Sequence, residues 1–386
     1  MTGPLKIAVI AGEESGELLA ADVVRAIAAK TGRAVELVGV GGHHLEALGL
    51  KSLFPSHEIA LMGFSAVVKD LPRLIKRIGS TARAIVDAKP DCLVTIDSPD
   101  FTLRVAKKVR AANPAIPIIH YVCPSVWAWR PGRAAAMKPH VDEVLCLLPF
   151  EPAELQRLGG PSGTFVGHRL VTDPGVLAAA AAQAQRKISA PDAQKTLLML
   201  PGSRRGEVRS LLQPFRETVE ALQARGTKLR ILTPTVPHVA ELVRSETANW
   251  PIRPEIITDA AGKWRAFGEA DAALNASGTV SLELALSGVP MAACYKLDGL
   301  AKFALGMVKV WSAVLPNLIA DKPVVLEFID FMLRPPYIAR QLGALLNDTP
   351  LRRWQTSGFE DVRAAMATDR PSGELAADVV LRRIAK

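Results

Sequence analysis

Residues 273–286, Ala-Leu-Asn-Ala-Ser-Gly-Thr-Val-Ser-Leu-Glu-Leu-Ala-Leu, join an apolar run ending at Asn275 to a small turn (Ser277, Gly278, Thr279). A helix-like pattern follows, with Glu283 near its first turn. A helix start exposes about four unpaired N–H groups and roughly half a positive charge, which makes it a ready anion site. Glu283, one turn further on, is placed to accept hydrogen bonds from the two hydroxyls of a sugar. Phosphate and ribose held together point to a nucleotide. An ordinary strand–turn–helix with a Ser/Thr cap has the same outline.

A second turn of this kind follows Leu198–Leu200, in Pro201-Gly202-Ser203-Arg204-Arg205-Gly206-Glu207. It lacks the lysine of a P-loop, which disfavours ATP hydrolysis, whereas backbone amides beside the Arg204 guanidinium suit a departing diphosphate. Two such helix starts on one sheet make a nucleotide a better reading than either does alone.

The first half carries different chemistry. Ala11-Gly12-Glu13-Glu14-Ser15-Gly16-Glu17 is a glycine-punctuated turn into a helix, too acidic for a pyrophosphate and better suited to an uncharged sugar. Acids complementing a helix dipole would look the same. Asp97 emerges from the end of the run Cys92–Ile96, with Pro99 opening the next helix. A carboxylate there, facing an apolar cleft, can have its pKa raised and act as a general base. Alternatively Asp97 or Ser98 caps that helix. The loop 121–130 holds Ser125, Trp127, Trp129 and Arg130, aromatic faces that stack on sugars or acyl groups when they do not simply fill core. His168 could bind phosphate or move a proton, although a lone histidine is more often structural.

These residues need a frame that holds them at loop positions. Strand-like runs at Lys6–Ile10, Val35–Val40, Cys92–Ile96, Ile116–Val122 and Val141–Leu147, with a weaker one at 165–166, alternate with helical stretches. The pattern restarts after an Ala/Gln-rich segment around 174–195, with Thr196–Leu200, Leu229–Leu232, Glu255–Ile257, Ala272–Asn275 and Met291–Tyr295. Near-continuous aliphatic strands separated by helices predict two doubly wound, parallel α/β domains in series. Ligands of such sheets bind beyond the carboxyl ends of strands, where the residues named above fall.

Composition narrows the partners. A net charge of +9 favours an anionic partner, but the basic residues are scattered and not interleaved with aromatics, so nucleic acid is disfavoured against a phosphorylated or membrane-surface partner. Cys92, Cys123, Cys146 and Cys294 lie far apart and read as buried thiols in a reducing compartment, not as metal ligands or disulfides. No signal peptide and no apolar run of about eighteen residues is found, so a cytoplasmic protein without a spanning helix is expected. In residues 66–78 an apolar stripe including Val67, Leu71, Leu74, Ile75 and Ile78, with Val68 beside it, is flanked by Lys69, Arg73, Lys76 and Arg77. Pro72 marks a helix start there. The stripe reads as a core helix or as an interfacial one that contacts membrane or acyl chains. Residues 299–320 form a second apolar stretch.

Gly12-Glu13-x-Ser15-Gly16, Asp97-Ser98-Pro99-Asp100-Phe101, Pro124-Ser125-Val126-Trp127-Ala128-Trp129, Leu148-Pro149-Phe150-Glu151, Phe165-Val166-Gly167-His168, Leu200-Pro201-Gly202-Ser203-Arg204 and Asn275-Ala276-Ser277-Gly278-Thr279 occur in order. Together they resemble the lipid-A-disaccharide synthase family, and the resemblance runs on through Pro316-Asn317-Leu318-Ile319. It implies a GT-B fold, two Rossmann-like domains facing across a cleft. The acceptor/lipid domain would be 1–172, the UDP-sugar domain 173–345, and helices 346–386 would return to the first. It implies an inverting glycosyltransferase joining UDP-diacylglucosamine to diacylglucosamine 1-phosphate, with UDP leaving. Asp97 would be the base, with Glu13 and His168 as other candidates. Gly202, Ser203, Arg204, Asn275, Ser277, Gly278, Thr279 and Glu283 would hold the donor. Ser15, Gly16, Ser125, Trp127 and Trp129 would meet sugar or acceptor. No metal or other cofactor is expected. Peripheral attachment to the cytoplasmic face of the inner membrane follows from the lipid substrates, and a homodimer exchanging C-terminal segments is compatible. Three positions depart from the family pattern: Glu17 where Asp is typical, Cys123 where Ser is common, and Arg169 where Pro usually follows Gly-His. A GT-B nucleotide-sugar epimerase and a non-catalytic UDP-sugar-binding protein are the alternatives.

Overall fold

The computed structural model describes residues 3–60, 67–296 and 309–385. The chain divides into two compact units, Met1–Arg169 with Thr368–Lys386, and Leu170–Ala367. In the first unit β1 (Leu5–Ala11), β2 (Val35–Val40), β3 (Cys92–Ile96), β4 (Ile118–Tyr121), β5 (Glu143–Cys146) and β6 (Ser162–Phe165) form one parallel sheet in the order β2-β1-β3-β4-β5-β6. Its described helices are α1 (Glu14–Thr31), α2 (His43–Glu46), α3 (His57–Ala60), α4 (Val67–Ala88), α5 (Pro99–Ala112), α6 (Gly132–Met137) and α7 (Glu151–Arg157), joined by the last helix of the chain.

The second unit holds α8 (Pro174–Gln185), β7 (Lys195–Leu200), α9 (Arg205–Ala224), β8 (Leu229–Pro234), α10 (Pro237–Thr247), β9 (Glu255–Ile257), α11 (Ala260–Glu269), β10 (Ala272–Ala276), α12 (Thr279–Ser287) and β11 (Met291–Tyr295). After them come α13 (Leu315–Ala320), β12 (Leu326–Ile329), α14 (Pro335–Leu345) and α15 (Pro350–Met366). Its parallel sheet runs β12-β11-β10-β7-β8-β9. Each order reverses direction once, between β1 and β3 in one sheet and between β7 and β10 in the other. In open α/β sheets a ligand crevice opens at such a reversal, outside the carboxyl ends of the strands.

The aliphatic strands are explained by burial on both faces. Ile7, Val9 and Ala11 of β1 pack on α1, while Ala8 and Ile10 on the same strand pack toward α4 and α5. Alternation of faces along a strand, with apolar residues on both, is what a helix-covered parallel sheet requires. Helix punctuation is local: Asp173 accepts the N–H groups of Gly175 and Val176 ahead of Pro174 at the start of α8, and Gly32 ends α1 at φ 63°.

Several expectations need correcting. β4 stops at Tyr121, because Val122 takes φ 72° and leaves the extended conformation. β12 was not foreseen; it is a short edge strand whose Glu327 is spent on Ser312, Ala313 and Asn317. α4 starts at Val67, so Pro72 lies inside it and does not open it. Leu74 is only 6% exposed and joins the core with Ile78, so it is no membrane contact, whereas neighbouring Ile75 is 55% exposed. The side chains of Val67, Val68 and Leu71 lie outside the described residues, as does much of the apolar stretch 299–320. Residues beyond 346 divide: α15 belongs to the second unit, and only the terminal helix α16 (Ser372–Ile384) belongs to the first. There α16 packs on α1 of its own chain, and Arg383 donates to the buried Glu143 carboxylate and to the Asp142 carbonyl. Among the described residues no helix is long and apolar enough to cross a membrane.

Candidate active site

At the reversal of the first sheet, the loops after β1 and β3 lie side by side. Gly12 is fixed by crowding: a Cβ there would fall 2.6 Å from Ile59 Cγ2 and 3.3 Å from Ser98 Oγ. Gly16, buried under α1, would bring its Cβ 3.2 Å from Ile96 Cγ2, so it serves helix–sheet contact. Glu13 and Ser15 are exposed at the start of α1. Glu17 points inward, with its Oε1 accepting from Ser56 Oγ at 3.0 Å.

Asp97 stands at the carboxyl end of β3 with φ 50°, followed by Ser98 at φ 44°. Two successive non-glycine residues in the left-handed region cost on the order of 1–3 kcal/mol each, and such strain gathers at functional sites. The backbone holds them there: Asp97 N donates to Tyr121 O at 3.0 Å, and Thr102 Oγ1 donates to Asp97 O at 2.7 Å. The capping alternative does not hold for Ser98, whose side chain caps nothing. The Asp97 carboxylate is half-buried and has no hydrogen bond or ion pair among the described residues.

One strand over, the loop after β4 carries Val122 at φ 72° and Arg130 at φ 51°. Trp127 is half-buried, donates to Glu151 Oε1 at 3.2 Å and meets Phe150 edge-on at 5.1 Å. Arg130 lies over Trp129, 4.2 Å from its centroid, and Ser125 is exposed, its carbonyl accepting from Ala128 and Trp129. His168, just past β6, has its pKa lowered to about 4 by burial. At neutral pH it is an uncharged imidazole and brings no positive charge to a phosphate.

The second sheet opens a cavity of about 570 Å³ at its own reversal, between the loops after β7 and β10. Gly202, Ser203, Arg204, Ser277, Gly278, Thr279 and Glu283 all line it. Asn275 does not. It is fully buried and braces the turn, donating to Ala276 O at 2.9 Å and Ser281 Oγ at 3.1 Å.

The two helix starts are not equivalent. At α9 the Glu207 carboxylate already receives the N–H groups of Ser203 and Arg204, both at 3.3 Å, and pairs with Arg204 Nη1 at 3.0 Å. An internal anion occupies the place expected for a phosphate. At α12 no side chain caps the start, and the first turn holds no acid. Among the described residues the start of α12 is thus left open where that of α9 is filled, and the Arg204 guanidinium, 84% exposed, lines the same cavity.

Five polar lining residues are not among the expected site residues: Glu207, Thr235, Thr258, Asp259 and Lys263. Asp259 caps α11 by accepting from Gly262 N at 2.7 Å. Lys263 bonds Glu283 Oε2 at 2.7 Å. Only Glu207 had a visible signal, since an acid at the third helical position is the mark of a capping box.

Two parallel Rossmann-like sheets, each with loops gathered at its reversal, give the fold shared by GT-B glycosyltransferases and nucleotide-sugar epimerases. An S. aureus MnaA–UDP co-structure is similar at TM-score 0.62, covering 98% of this chain and 96% of that one at 14% identity. Acinetobacter baumannii MurG is similar at TM-score 0.59, with 98% and 99% covered at 14% identity. Sequence decides within the class. The family model described as lipid-A-disaccharide synthetase matches residues 7–374. The lipid-A-disaccharide synthases of Nitrobacter hamburgensis and Bradyrhizobium diazoefficiens are 46% and 44% identical, over 97% and 99% of this chain and 95% and 97% of theirs. The chain belongs to the lipid-A-disaccharide synthase family and is a glycosyltransferase of lipid A biosynthesis.

Proposed function

We propose that the chain transfers diacylglucosamine from its UDP derivative to the 6-hydroxyl of diacylglucosamine 1-phosphate, with Asp97 as the base. The observation that carries this reading is the Asp97 carboxylate itself, unpartnered among the described residues and held in a strained turn at a sheet reversal. Asp97 takes the acceptor proton as its oxygen attacks the anomeric carbon from the face opposite UDP. One displacement inverts the centre, and no covalent sugar–enzyme intermediate is needed. The leaving diphosphate is received by the amides opening α12 and by Arg204, which serve where other enzymes use a metal. Glu283 accepts from the ribose hydroxyls. Trp127 and Trp129 face the acceptor. Ile75 and the basic residues of α4 attach the protein to an anionic membrane surface, where both lipid substrates reside.

A mass-spectrometric product assay in detergent micelles with EDTA, comparing wild type with Asp97→Asn, tests this. Disaccharide from wild type and about 10³-fold slower formation by the variant is expected, the loss typical of a general base. Equal rates in both would remove Asp97 from the role and leave Glu13 next, His168 being a weak base. Isomerised or merely bound UDP-sugar, with no disaccharide, would overturn the transferase.

A further inference from the structure

The loop after β4 contains an unusual arrangement of thiols. Along β4, Ile118 faces one core cluster, while Ile119 and Tyr121 face the other. Regular alternation would return residue 122 to the first face. Instead Val122, at φ 72°, packs with Tyr121, and Cys123 falls on the opposite face beside Cys146 of β5. A β-branched residue at positive φ is a costly backbone state. Here it inverts the alternation and brings the loop cysteine, Cys123, together with Cys146 of β5.

Glu151, at the start of α7, completes the group. The two sulfurs and a Glu151 carboxylate oxygen lie within 4.8 Å of one another, and the three residues are 4%, 0% and 3% exposed. Cys123 Sγ donates weakly to Pro124 O at 3.4 Å and Cys146 Sγ to Val144 O at 3.6 Å. Glu151 Oε2 accepts from Leu147 N and Leu148 N, each at 3.0 Å, and Oε1 from Trp127 Nε1 at 3.2 Å.

We propose that Cys123, Cys146 and Glu151 form a binding site for a thiophilic divalent cation of the zinc and cadmium type. Around a tetrahedral zinc the ligand atoms stand roughly 3.6–3.8 Å apart, given bonds of about 2.3 Å to sulfur and 2.1 Å to oxygen. The separations of 4.8 Å or less leave at most about 1 Å to close on binding. Two sulfurs and a carboxylate oxygen fill three positions, and water or a loop carbonyl takes the fourth. Binding sends two thiol protons to solvent, leaving two thiolates and a carboxylate around the ion. A disulfide would use the two sulfurs alone, whereas a cation takes the carboxylate oxygen that lies beside them as well. Glu151 Oε1 turns from the Trp127 indole to the ion, so occupancy alters the aromatic loop that the transferase reading assigns to the acceptor. The binding itself does not rest on that reading.

The test is a cadmium titration of the pre-reduced, desalted chain, followed by the ultraviolet thiolate-to-cadmium absorption and by metal content after gel filtration. One cadmium per chain is expected for wild type and for Cys294→Ser, which removes a buried thiol of the second unit. Cys123→Ser and Glu151→Gln are expected to weaken binding at least tenfold. Absence of the band in wild type, or an undiminished band in Cys123→Ser, would overturn the site. Far-UV circular dichroism identifies any variant that fails to fold, and the wild-type titration stands without them.

Discussion

Lys263 Nζ lies 2.7 Å from Glu283 Oε2, across the cavity wall formed by α11 and α12. The lysine also stands 4.5 Å from the Trp264 centroid and 5.6 Å from that of Phe267, which fixes its stem. One carboxylate oxygen is thus engaged, and in the proposed reading the other accepts from a ribose hydroxyl. The pair also sets a positive charge against the Glu283 carboxylate at the cavity wall. Lys263→Met is expected to weaken UDP three- to tenfold, about 1 kcal/mol, with a larger effect at low salt. Calorimetry on this variant, on Glu283→Gln and on the double variant measures the coupling. Strict additivity would show that the ion pair has no role in binding.

Gly202 has φ 115°, and a Cβ there would lie 2.7 Å from Glu207 Oε2. Gly202→Ala therefore strains the backbone and displaces the carboxylate that braces the Ser203 and Arg204 amides. A local cost of about 1–2 kcal/mol and a roughly tenfold rise in donor KM are expected. Gly206→Ala is the control, because nothing lies within 4 Å of its Cβ position. Donor kinetics of the two variants should separate clearly.

Adjacent residues of α4 should separate folding from attachment. Leu74→Lys buries a charge in the first unit's core and is expected to unfold that unit. Ile75→Glu changes an exposed position and should leave the melting temperature within a few degrees, while reducing co-sedimentation with anionic vesicles several-fold. Unchanged sedimentation would take this helix out of the membrane contact.

His120 is fully buried, with Nδ1 2.8 Å from Thr95 Oγ1, and its pKa is lowered to about 3, first by burial and then by the Arg133 charge. Between that value and 6.5 the unfolded chain binds the proton and the folded one does not. Stability from this residue is therefore complete above about pH 6.5 and falls as pH drops. Between pH 7 and 4.5 the loss is about 3 kcal/mol. Urea midpoints at both pH values should show His120→Gln losing that much less than wild type on acidification.

Most of the strands were legible because aliphatic runs buried on both faces are hard to mistake, as Cys92–Ile96 and Ala272–Ala276 show. β12 was not, since Leu-Glu-Phe-Ile is short, carries a glutamate and is mostly half-buried at a sheet edge. Asp97, Ser277 and Arg204 were visible because they end strands or open helices in sequence. Lys263 was invisible because its pairing with Glu283 depends on α11 and α12 lying side by side, which neither segment marks in sequence. The polarity of Asn275 suggested ligand contact, but its hydrogen bonds turn inward. The Cys123–Cys146 proximity depends on one backbone angle at Val122, for which sequence carries no mark.

The first unit borrows its last helix from the far end of the chain. Ala376, Ala377, Val379 and Val380 of α16 cover the same sheet face as α1. During synthesis that face must wait for the whole of Leu170–Ala367 to be made, roughly 10–40 s at ordinary elongation rates. The nascent first unit therefore spends that interval with an open apolar surface, a natural target for chaperones and proteases. A released chain that ended at Ala367 would hold the whole second unit but lack the last helix of the first.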